Sequence, residues 1–267
     1  MPDVSLLTTL HDVKGWSIEP LQDVENIFNA CYDKRFVKVT KNTSKDVIKL
    51  LEATGWVIVP NRSNVGVEYI SDSRRNLIQT GIEEDSEFMH LVDMDRVLHW
   101  ALTYPDELRD VVKLLPNNDF IIYGRTTRAF NTHPQNQVET EALVNKVFSL
   151  IYGKYLDITS ASRGLSLTAA ETILKFSKGQ FFDSDSEWPI IIFCKSDIPI
   201  SYREVEGLEW ETRIKRNEWI LPNGKTIDIK EFYESNAESW VYRLMLAHRI
   251  AKAAQLTYEA LRTNQFS

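Results

Sequence analysis

The sequence predicts an α/β fold, with a mixed, mostly parallel sheet flanked by helices and closed by a C-terminal helix. Short apolar runs rich in β-branched residues alternate with segments of helical periodicity, which is typical of parallel strands joined by helical crossovers. With 267 residues and 43% hydrophobic content, the chain can bury a large core. Ten glycines and nine prolines, without a repetitive tract, indicate no linker, so one domain over 1–267 is expected.

The first third of the chain alternates strands with helices. Gly55 follows the second predicted helix as a C-terminal cap, and Ser71 or Asp72 is suited to cap the third. The predicted elements are a strand over 4–10, a helix over 21–32, a strand over 35–40, a helix over 44–54, a strand over 56–61, a helix over 71–85 and a strand within 86–95.

The remainder of the chain is less regular. Its turn signal is Asn223-Gly224, a dipeptide that favours a tight hairpin. The predicted elements are a helix over 106–115, a strand over 119–125, a helix over 137–154, strands over 188–194 and 200–210, a hairpin over 217–229 and a long helix over 238–262.

Composition excludes several classes of protein. The net charge of −7 and the isoelectric point near 5.4 argue against a general nucleic-acid binder, which needs a clustered basic surface. Two cysteines, Cys31 and Cys194, exclude a disulfide framework and a cysteine-rich zinc site. The N-terminus lacks the basic start and long apolar stretch of a secretory signal, and nowhere do 18 apolar residues run together. We therefore expect a cytoplasmic protein without a membrane span.

Two acids, Asp93 and Asp95, follow directly after the apolar run of the strand within 86–95. Residues just beyond the carboxyl end of a strand in an open α/β sheet are well placed to bind a ligand. Strand alternation would point both carboxylates the same way, as two hard oxygen donors for Mg²⁺ or Mn²⁺ shared with phosphates. The alternative is a solvated turn or a helix cap.

The stretch that contains this acid pair resembles the middle of a GT-A type glycosyltransferase of the family that includes dolichol-phosphate mannose synthases. Its pieces follow in the family's order over roughly residues 4 to 175. They are the acid pair Asp93-Met94-Asp95, the helix start Tyr104-Pro105-Asp106-Glu107-Leu108, the strand end Gly124-Arg125, and the segment DITSASRGLS over 157–166.

The resemblance implies a GT-A fold, a nucleotide-diphosphate sugar donor, a divalent metal and transfer of a glycosyl group. It places Asp93 and Asp95 at the metal, Arg125 and Arg163 at phosphate groups of donor or acceptor, and Asp157 beside the acceptor. It also implies a nucleotide-sugar half over 1–130, an acceptor half over 131–234 and a C-terminal helix over 235–267. An arginine fork suits phosphate oxygens, and a metal neutralises the leaving diphosphate.

The chain departs from the family where the nucleoside binds. In place of the paired aspartates after the second strand it has Lys41 and Asn42. Lys41 either contacts a phosphate or belongs to a plain helix-capping turn. After the first strand, Asp12 either keeps an acidic contact with the nucleotide or is an exposed loop acid. Ala161-Ser162 replaces the family's Gly-Phe, so the acceptor need not be a polyprenyl phosphate.

Three further candidates stay open. His133 either serves as a third metal ligand or is an ordinary loop histidine. One of the pair Arg74-Arg75, with Arg75 preferred, is a candidate contact for the donor diphosphate; the alternative is a solvated helix face or an ion pair with Glu83 or Glu84. Either one of the acids Glu206, Glu209 and Glu211 serves as general base, or all three are surface residues.

These features predict a soluble, metal-dependent hexosyltransferase, inverting by resemblance, that uses Mg²⁺ or Mn²⁺ and a UDP- or GDP-sugar. Its acceptor is expected to be small, soluble or phosphorylated, with no nucleic-acid partner and with homo-oligomerisation left open. The alternative is a non-catalytic GT-A-fold protein with decayed donor binding that acts as a scaffold or regulatory partner. A nucleotidyltransferase would need a glycine-rich phosphate loop after the first strand, and TLHDVKG over 9–15 supplies none.

Overall fold

Seven strands form the central sheet of the structure, a computed structural model that describes residues 3–60, 67–211, 218–220 and 224–263. The strands are β1 (Val4–Leu10), β2 (Lys34–Val39), β3 (Val57–Ile58), β4 (Phe88–Val92), β5 (Phe120–Arg125), β6 (Ser162–Ser166) and β7 (Ile200–Val205). Their order across the sheet is β3-β2-β1-β4-β6-β5-β7. Only β6 runs antiparallel to its neighbours in this sheet. The predicted mixed, mostly parallel sheet is confirmed.

Helices cover both faces of the sheet. Those of the described residues are α1 (Ile18–Cys31), α2 (Lys45–Ala53), α3 (Ile70–Glu83), α4 (Met94–Thr103), α5 (Pro105–Leu114), α6 (Thr127–Asn131), α7 (Gln135–Tyr152), α8 (Leu167–Phe176), α9 (Ser184–Lys195), α10 (Ile229–Ser235) and α11 (Ala237–Thr263). The predicted closing helix is confirmed as α11. Within the described part of the chain, no helix is both long and apolar enough to cross a bilayer.

The predicted hairpin near residue 224 is also confirmed. Strands β8 (Glu218–Ile220) and β9 (Thr226–Asp228) pair antiparallel in a small separate sheet. Gly224 has a φ of +79°, in the left-handed region that glycine enters without steric cost. Asn223, the other residue of the turn signal, lies outside the described residues.

Hydrophobic cores lie on both faces of the sheet. On β1, Leu6 packs into the core beneath α1, α4 and α5, whereas its neighbour Leu7 packs into the core beneath α3, α7 and α9. Both side chains are fully buried. Because both faces are covered, β1 and β5 carry consecutive apolar residues instead of a strict alternation, as expected for parallel strands flanked by helices.

The strand predicted over 188–194 is wrong, because these residues belong to helix α9. Its apolar residues 190–192 are completely buried, and a short buried helical segment has the same composition as a buried strand. Pro189 lies inside the helix and cannot donate to the carbonyl of Asp185 one turn earlier. Arg163 replaces that donor, with its Nη2 atom 3.1 Å from the Asp185 carbonyl oxygen.

Strand β4 ends at Val92, so the acid pair lies just beyond the strand, as predicted. Two other strands are shorter than predicted: β3 covers only Val57–Ile58 of 56–61, and β7 ends at Val205 instead of continuing to residue 210. Strand β6 and helix α8 were not predicted, because SRGLS over 162–166 has no apolar alternation. Close packing in this strand selects glycine at position 164, because a Cβ atom there would lie 2.0 Å from the side chain of Leu115 and 2.5 Å from that of Ile121.

Candidate functional site

The two acids after β4 lie at the start of helix α4 and line one cavity. Asp93 is the N-cap residue, with extended backbone angles, yet its side chain makes no capping hydrogen bond. Instead its carboxylate accepts from Arg74 Nη2 at 3.2 Å and from Thr9 Oγ1 at 3.5 Å. Asp95 lies in the first helical turn, and its Oδ1 accepts from the backbone N–H of Arg96 at 3.0 Å. The helix start, instead of strand alternation, brings the two carboxylates to the same cavity.

The cavity has a volume of about 190 Å³ and is lined by both charged and apolar side chains. Helices α4, α7, α9 and α11 and the loop after β7 contribute to its walls. Besides the acid pair, its charged lining residues are Glu141, Asp185, Glu211, Arg96 and Arg243. Five carboxylates and two guanidinium groups line the cavity directly, and the buried Arg74 and Arg125 behind the wall compensate part of this negative charge.

Arg74 connects the acid pair to helix α9 across the floor of this cavity. Its side chain is 2% exposed and its Nη1 atom lies 2.6 Å from Asp185 Oδ1, while Nη2 contacts Asp93. Burial opposes the charge of Arg74, but Asp185 and Asp93 together raise its pKa. For Asp185, burial outweighs the arginines and raises the pKa. Arg74 thus holds the Asp93 carboxylate in a fixed orientation.

The acid pair fits a divalent cation that is shared with a ligand. Among the described residues there is no group of three or more His, Cys, Asp or Glu side chains arranged to hold a metal ion. Mg²⁺ and Mn²⁺ accept hard oxygen donors, and Mg²⁺ is commonly held by one or two carboxylates plus substrate phosphates. Asp93 and Asp95 supply that number of carboxylates, and the side chain of Asp93 is 27% exposed.

The structure places His133 away from the lining of the cavity. Its ring packs edge-to-face against Trp210, and Nδ1 lies 3.2 Å from the carbonyl oxygen of Ala129. Burial and the charge of Arg125 lower the pKa of His133 to about 3. The ring is therefore neutral, and it is not brought together with the acid pair.

Arg125 and Asp157 form a buried ion pair beneath the cavity. The Arg125 side chain is fully buried, and its Nε and Nη2 atoms donate to the two oxygens of Asp157 at 2.8 and 2.9 Å. Nη2 also donates to Glu141 at 2.7 Å and to Thr159 at 2.8 Å. Burial opposes ionisation of Asp157, but Arg125 lowers its pKa well below the usual value. The pair supports the wall residues Glu141 and Thr159 from below.

Arg163 is likewise buried, with 2% exposure. Its guanidinium donates to the backbone oxygens of Ser162 at 2.8 Å and of Asp185 at 3.1 Å, and also to that of Ile158. Burial lowers the pKa of Arg163 to about 10, against the opposing effect of Asp185. Arg163 thus joins the turn before β6 to helix α9, and its Nη1 and Nη2 donors are directed mainly at the protein backbone.

The remaining predicted donor contacts also lie outside the cavity lining. Asp12 is fully buried and organises the loop after β1. Lys41 is exposed in the turn after β2. Arg75 donates to Ser177 Oγ at 2.9 Å and pairs with Asp72. The Asp12 carboxylate accepts hydrogen bonds from the backbone N–H groups of Lys14, Gly15, Trp16 and Ser17 and from the Ser17 hydroxyl.

The loop after β7 carries two cavity residues, Trp210 and Glu211, and is anchored by Glu107. The Glu107 carboxylate accepts from the backbone N–H groups of residues 206 and 207, each at 2.9 Å. The same carboxylate accepts from Trp100 Nε1 at 2.9 Å. Of the three candidate acids on this loop, Glu211 is the one that lines the cavity, where it is 1% exposed.

Sequence reasoning missed four charged residues of the cavity lining: Arg96, Glu141, Asp185 and Arg243. It named the pair Arg74-Arg75 but preferred Arg75, whereas Arg74 is the member of the pair that contacts Asp93 and Asp185. Arg243 had no usable signal, since it lies in a long helix 150 residues from Asp93, and only the packing of α11 on α7 and α9 brings it to the cavity.

No family model and no curated protein matches this chain, but solved structures share its fold. A mycobacterial protein has a TM-score of 0.54 and 11% identity; the match covers 76% of this chain and 65% of that protein, less than two thirds of its length. Mannosyl-3-phosphoglycerate synthase from Rubrobacter xylanophilus has a TM-score of 0.54 and 10% identity, over 97% and 75% of the two chains. The chain has a GT-A-type fold.

A third similar structure contains ligands. It is glucosyl-3-phosphoglycerate synthase from Mycobacterium tuberculosis in complex with Mn²⁺, UDP-glucose and phosphoglyceric acid. The TM-score is 0.51 with 9% identity, and the match covers 97% of this chain and 80% of that one. At such identities the likeness concerns the fold, so the activity of this chain has to be argued from its own residues.

Proposed function

We propose that this protein is a metal-dependent glycosyltransferase that moves a hexose from a nucleoside-diphosphate sugar to a soluble acceptor. The observation that carries the proposal is the shared cavity of Asp93 and Asp95 at the carboxyl end of β4. This edge is where open α/β sheets bind nucleotides. The GT-A-type fold supports the proposal, as does the complex of a similarly folded protein with Mn²⁺ and UDP-glucose.

The reaction exchanges one bond at the anomeric carbon for another. The bond from the anomeric carbon to the donor phosphate oxygen breaks, the acceptor hydroxyl oxygen bonds to that carbon, and its proton leaves to a base. A divalent cation held by Asp93 and Asp95 would neutralise the charge of the departing diphosphate. Arg74 acts through Asp93, because both its Nη atoms already donate to cavity carboxylates. Inversion at the anomeric carbon is part of this proposal.

The test is the binding of nucleotides to the purified protein with and without Mn²⁺ or Mg²⁺. A ligand present at a hundred times its Kd stabilises the folded state by about 2.7 kcal/mol, which raises the melting temperature by roughly 5 °C or more. We expect UDP or GDP to do so only with metal, and Asp95→Asn to abolish the metal-dependent part. The matched control is Asp106→Asn, an exposed acid in the first turn of α5.

Product formation completes the test. Release of nucleoside diphosphate from UDP-glucose or GDP-mannose should require metal, and loss of one metal ligand should cost on the order of a hundredfold in rate. The anomeric configuration of the product reports inversion or retention. Absence of any nucleotide effect would contradict the proposal and favour the non-catalytic alternative.

A further inference from the structure

Arg96 has a buried guanidinium nitrogen that lacks a partner within the described part of the chain. The residue is 9% exposed and lines the cavity, and its Nη1 atom makes no hydrogen bond there. Its Nε atom lies 3.6 Å from Glu211 Oε1, which is an ion pair without close hydrogen-bond geometry. Buried donors are nearly always satisfied, so an unsatisfied cationic donor in a cavity wall indicates a missing acceptor.

Arg243 of helix α11 lies in the wall of the same cavity. Its side chain is 23% exposed, and its Nη2 atom lies 3.3 Å from Glu141 Oε1. Burial lowers the pKa of Arg243, and the positive charge of Arg96 acts in the same direction. Two guanidinium groups that repel each other in one cavity are stabilised by an anion that contacts both.

A second cavity of about 220 Å³ adjoins the first at Arg243. Arg243, Gln137 and Trp210 line both cavities. The second cavity is otherwise lined by aromatic and polar side chains, among them Tyr233 and Tyr242. A molecule that contacts Arg243 therefore has space for the rest of its structure on the side away from the acid pair.

We propose that Arg96 and Arg243 together hold an anionic group, a phosphate or a carboxylate, of the acceptor. The body of the acceptor then extends past Trp210 into the second cavity, and its reacting hydroxyl faces the acid pair. Helix α11 thus completes the acceptor site through Arg243. This inference rests on the proposed glycosyl transfer, because it is that reaction that makes the second ligand an acceptor.

The planar arginine fork makes this site specific for oxyanions. A phosphate or carboxylate presents oxygens that accept two parallel N–H bonds, whereas a neutral polyol presents none that carry charge. Two of the five cavity carboxylates, Glu211 and Glu141, already pair with Arg96 and Arg243, so the Nη1 atom of Arg96, which has no partner among the described residues, is the donor that an anion would meet. The donor diphosphate is held separately, on the side of the acid pair.

The experiment measures binding of phosphoglycerate, glycerate, inorganic phosphate and glycerol to the full-length protein by calorimetry, in the presence of UDP and Mn²⁺. We expect phosphoglycerate to bind and glycerol not to bind. Arg96→Gln and Arg243→Gln should each weaken phosphoglycerate binding at least tenfold, and Arg243→Lys should lose less than Arg243→Gln. The matched control is Arg109→Gln, which removes an arginine that pairs with Asp106 and does not line either cavity.

The outcomes separate this inference from the proposed function. Unchanged anion affinity in both glutamine variants, or no anion binding by the wild type while UDP and Mn²⁺ bind, would overturn the arginine site alone. Anion binding that depends on both arginines without any binding of UDP and Mn²⁺ would support the site and contradict the glycosyltransferase. Retention of the UDP–Mn²⁺ melting shift in the arginine variants shows that they remain folded with an intact donor site.

Discussion

Replacing Asp157 by asparagine tests whether the Arg125–Asp157 pair is a support of the site. The Asp157 carboxylate accepts from Arg125 Nε at 2.8 Å, from Nη2 at 2.9 Å and from the Arg125 backbone N–H at 3.0 Å. Asn145 and Thr159 donate to the same carboxylate at 2.9 and 3.0 Å. Asparagine keeps the shape of the side chain, but it removes the charge and one of the two acceptor oxygens.

The expected loss of stability is large because the guanidinium of Arg125 stays buried. Removing one partner of a buried ion pair costs about 3–5 kcal/mol. Glu141 remains 2.7 Å from Arg125 Nη2 and compensates part of the charge, which favours the lower end, about 3 kcal/mol. For a chain of this size that lowers the melting temperature by roughly 6–12 °C.

Urea unfolding followed by circular dichroism and tryptophan fluorescence measures this change. Asp106→Asn is the control, because Asp106 is 93% exposed in its ion pair with Arg109 and its loss should leave the unfolding free energy unchanged. An Asp157→Asn protein as stable as the wild type would refute the reasoning. If such a protein had also lost glycosyl transfer, the direct acceptor role implied by the family resemblance would be favoured instead.

Two further predictions concern pH and packing. Burial lowers the pKa of His90 to about 3, against about 6.5 unfolded, so its neutral form stabilises the fold above pH 6.5 and stability is lost as pH falls toward 3. Between pH 7 and pH 4, the unfolding free energy of His90→Gln should fall less steeply than that of the wild type, by up to ~1.4 kcal/mol per pH unit. Equal slopes in the two proteins would contradict this expectation. Gly207→Ala should destabilise by about 1–3 kcal/mol and displace the loop of Glu211, because its Cβ would lie 1.9 Å from Trp100. Gly224→Ala, with no atom within 4 Å of the added Cβ, is strained only by its φ of +79° and should lower stability without changing activity; equal activity in both variants would refute the displacement.

The alternation of apolar runs and helical patterns was sufficient to predict most of the sheet. Strands buried on both faces carry their signal in consecutive residues, as in β1 and β4, and helix α11 is a long run rich in helix-forming residues, without glycine or proline. The prediction failed where burial removed the distinction between the two kinds of element. Residues 190–192 of helix α9 are completely buried, so this part of the helix has an uninterrupted apolar sequence like that of a buried strand.

The sequence by itself determined that Asp93 and Asp95 follow a buried strand, and this places them at the edge where ligands bind. Only the tertiary structure decided which arginine side chains lie near these two acids. Arg125 and Arg163 were predicted at phosphates, yet the structure directs their donors to Asp157 and to backbone carbonyls. Spacing along the chain fixes which residues are near in sequence, whereas helix rotation and long-range packing decide which side chains face a shared cavity, as for the unpredicted Arg243.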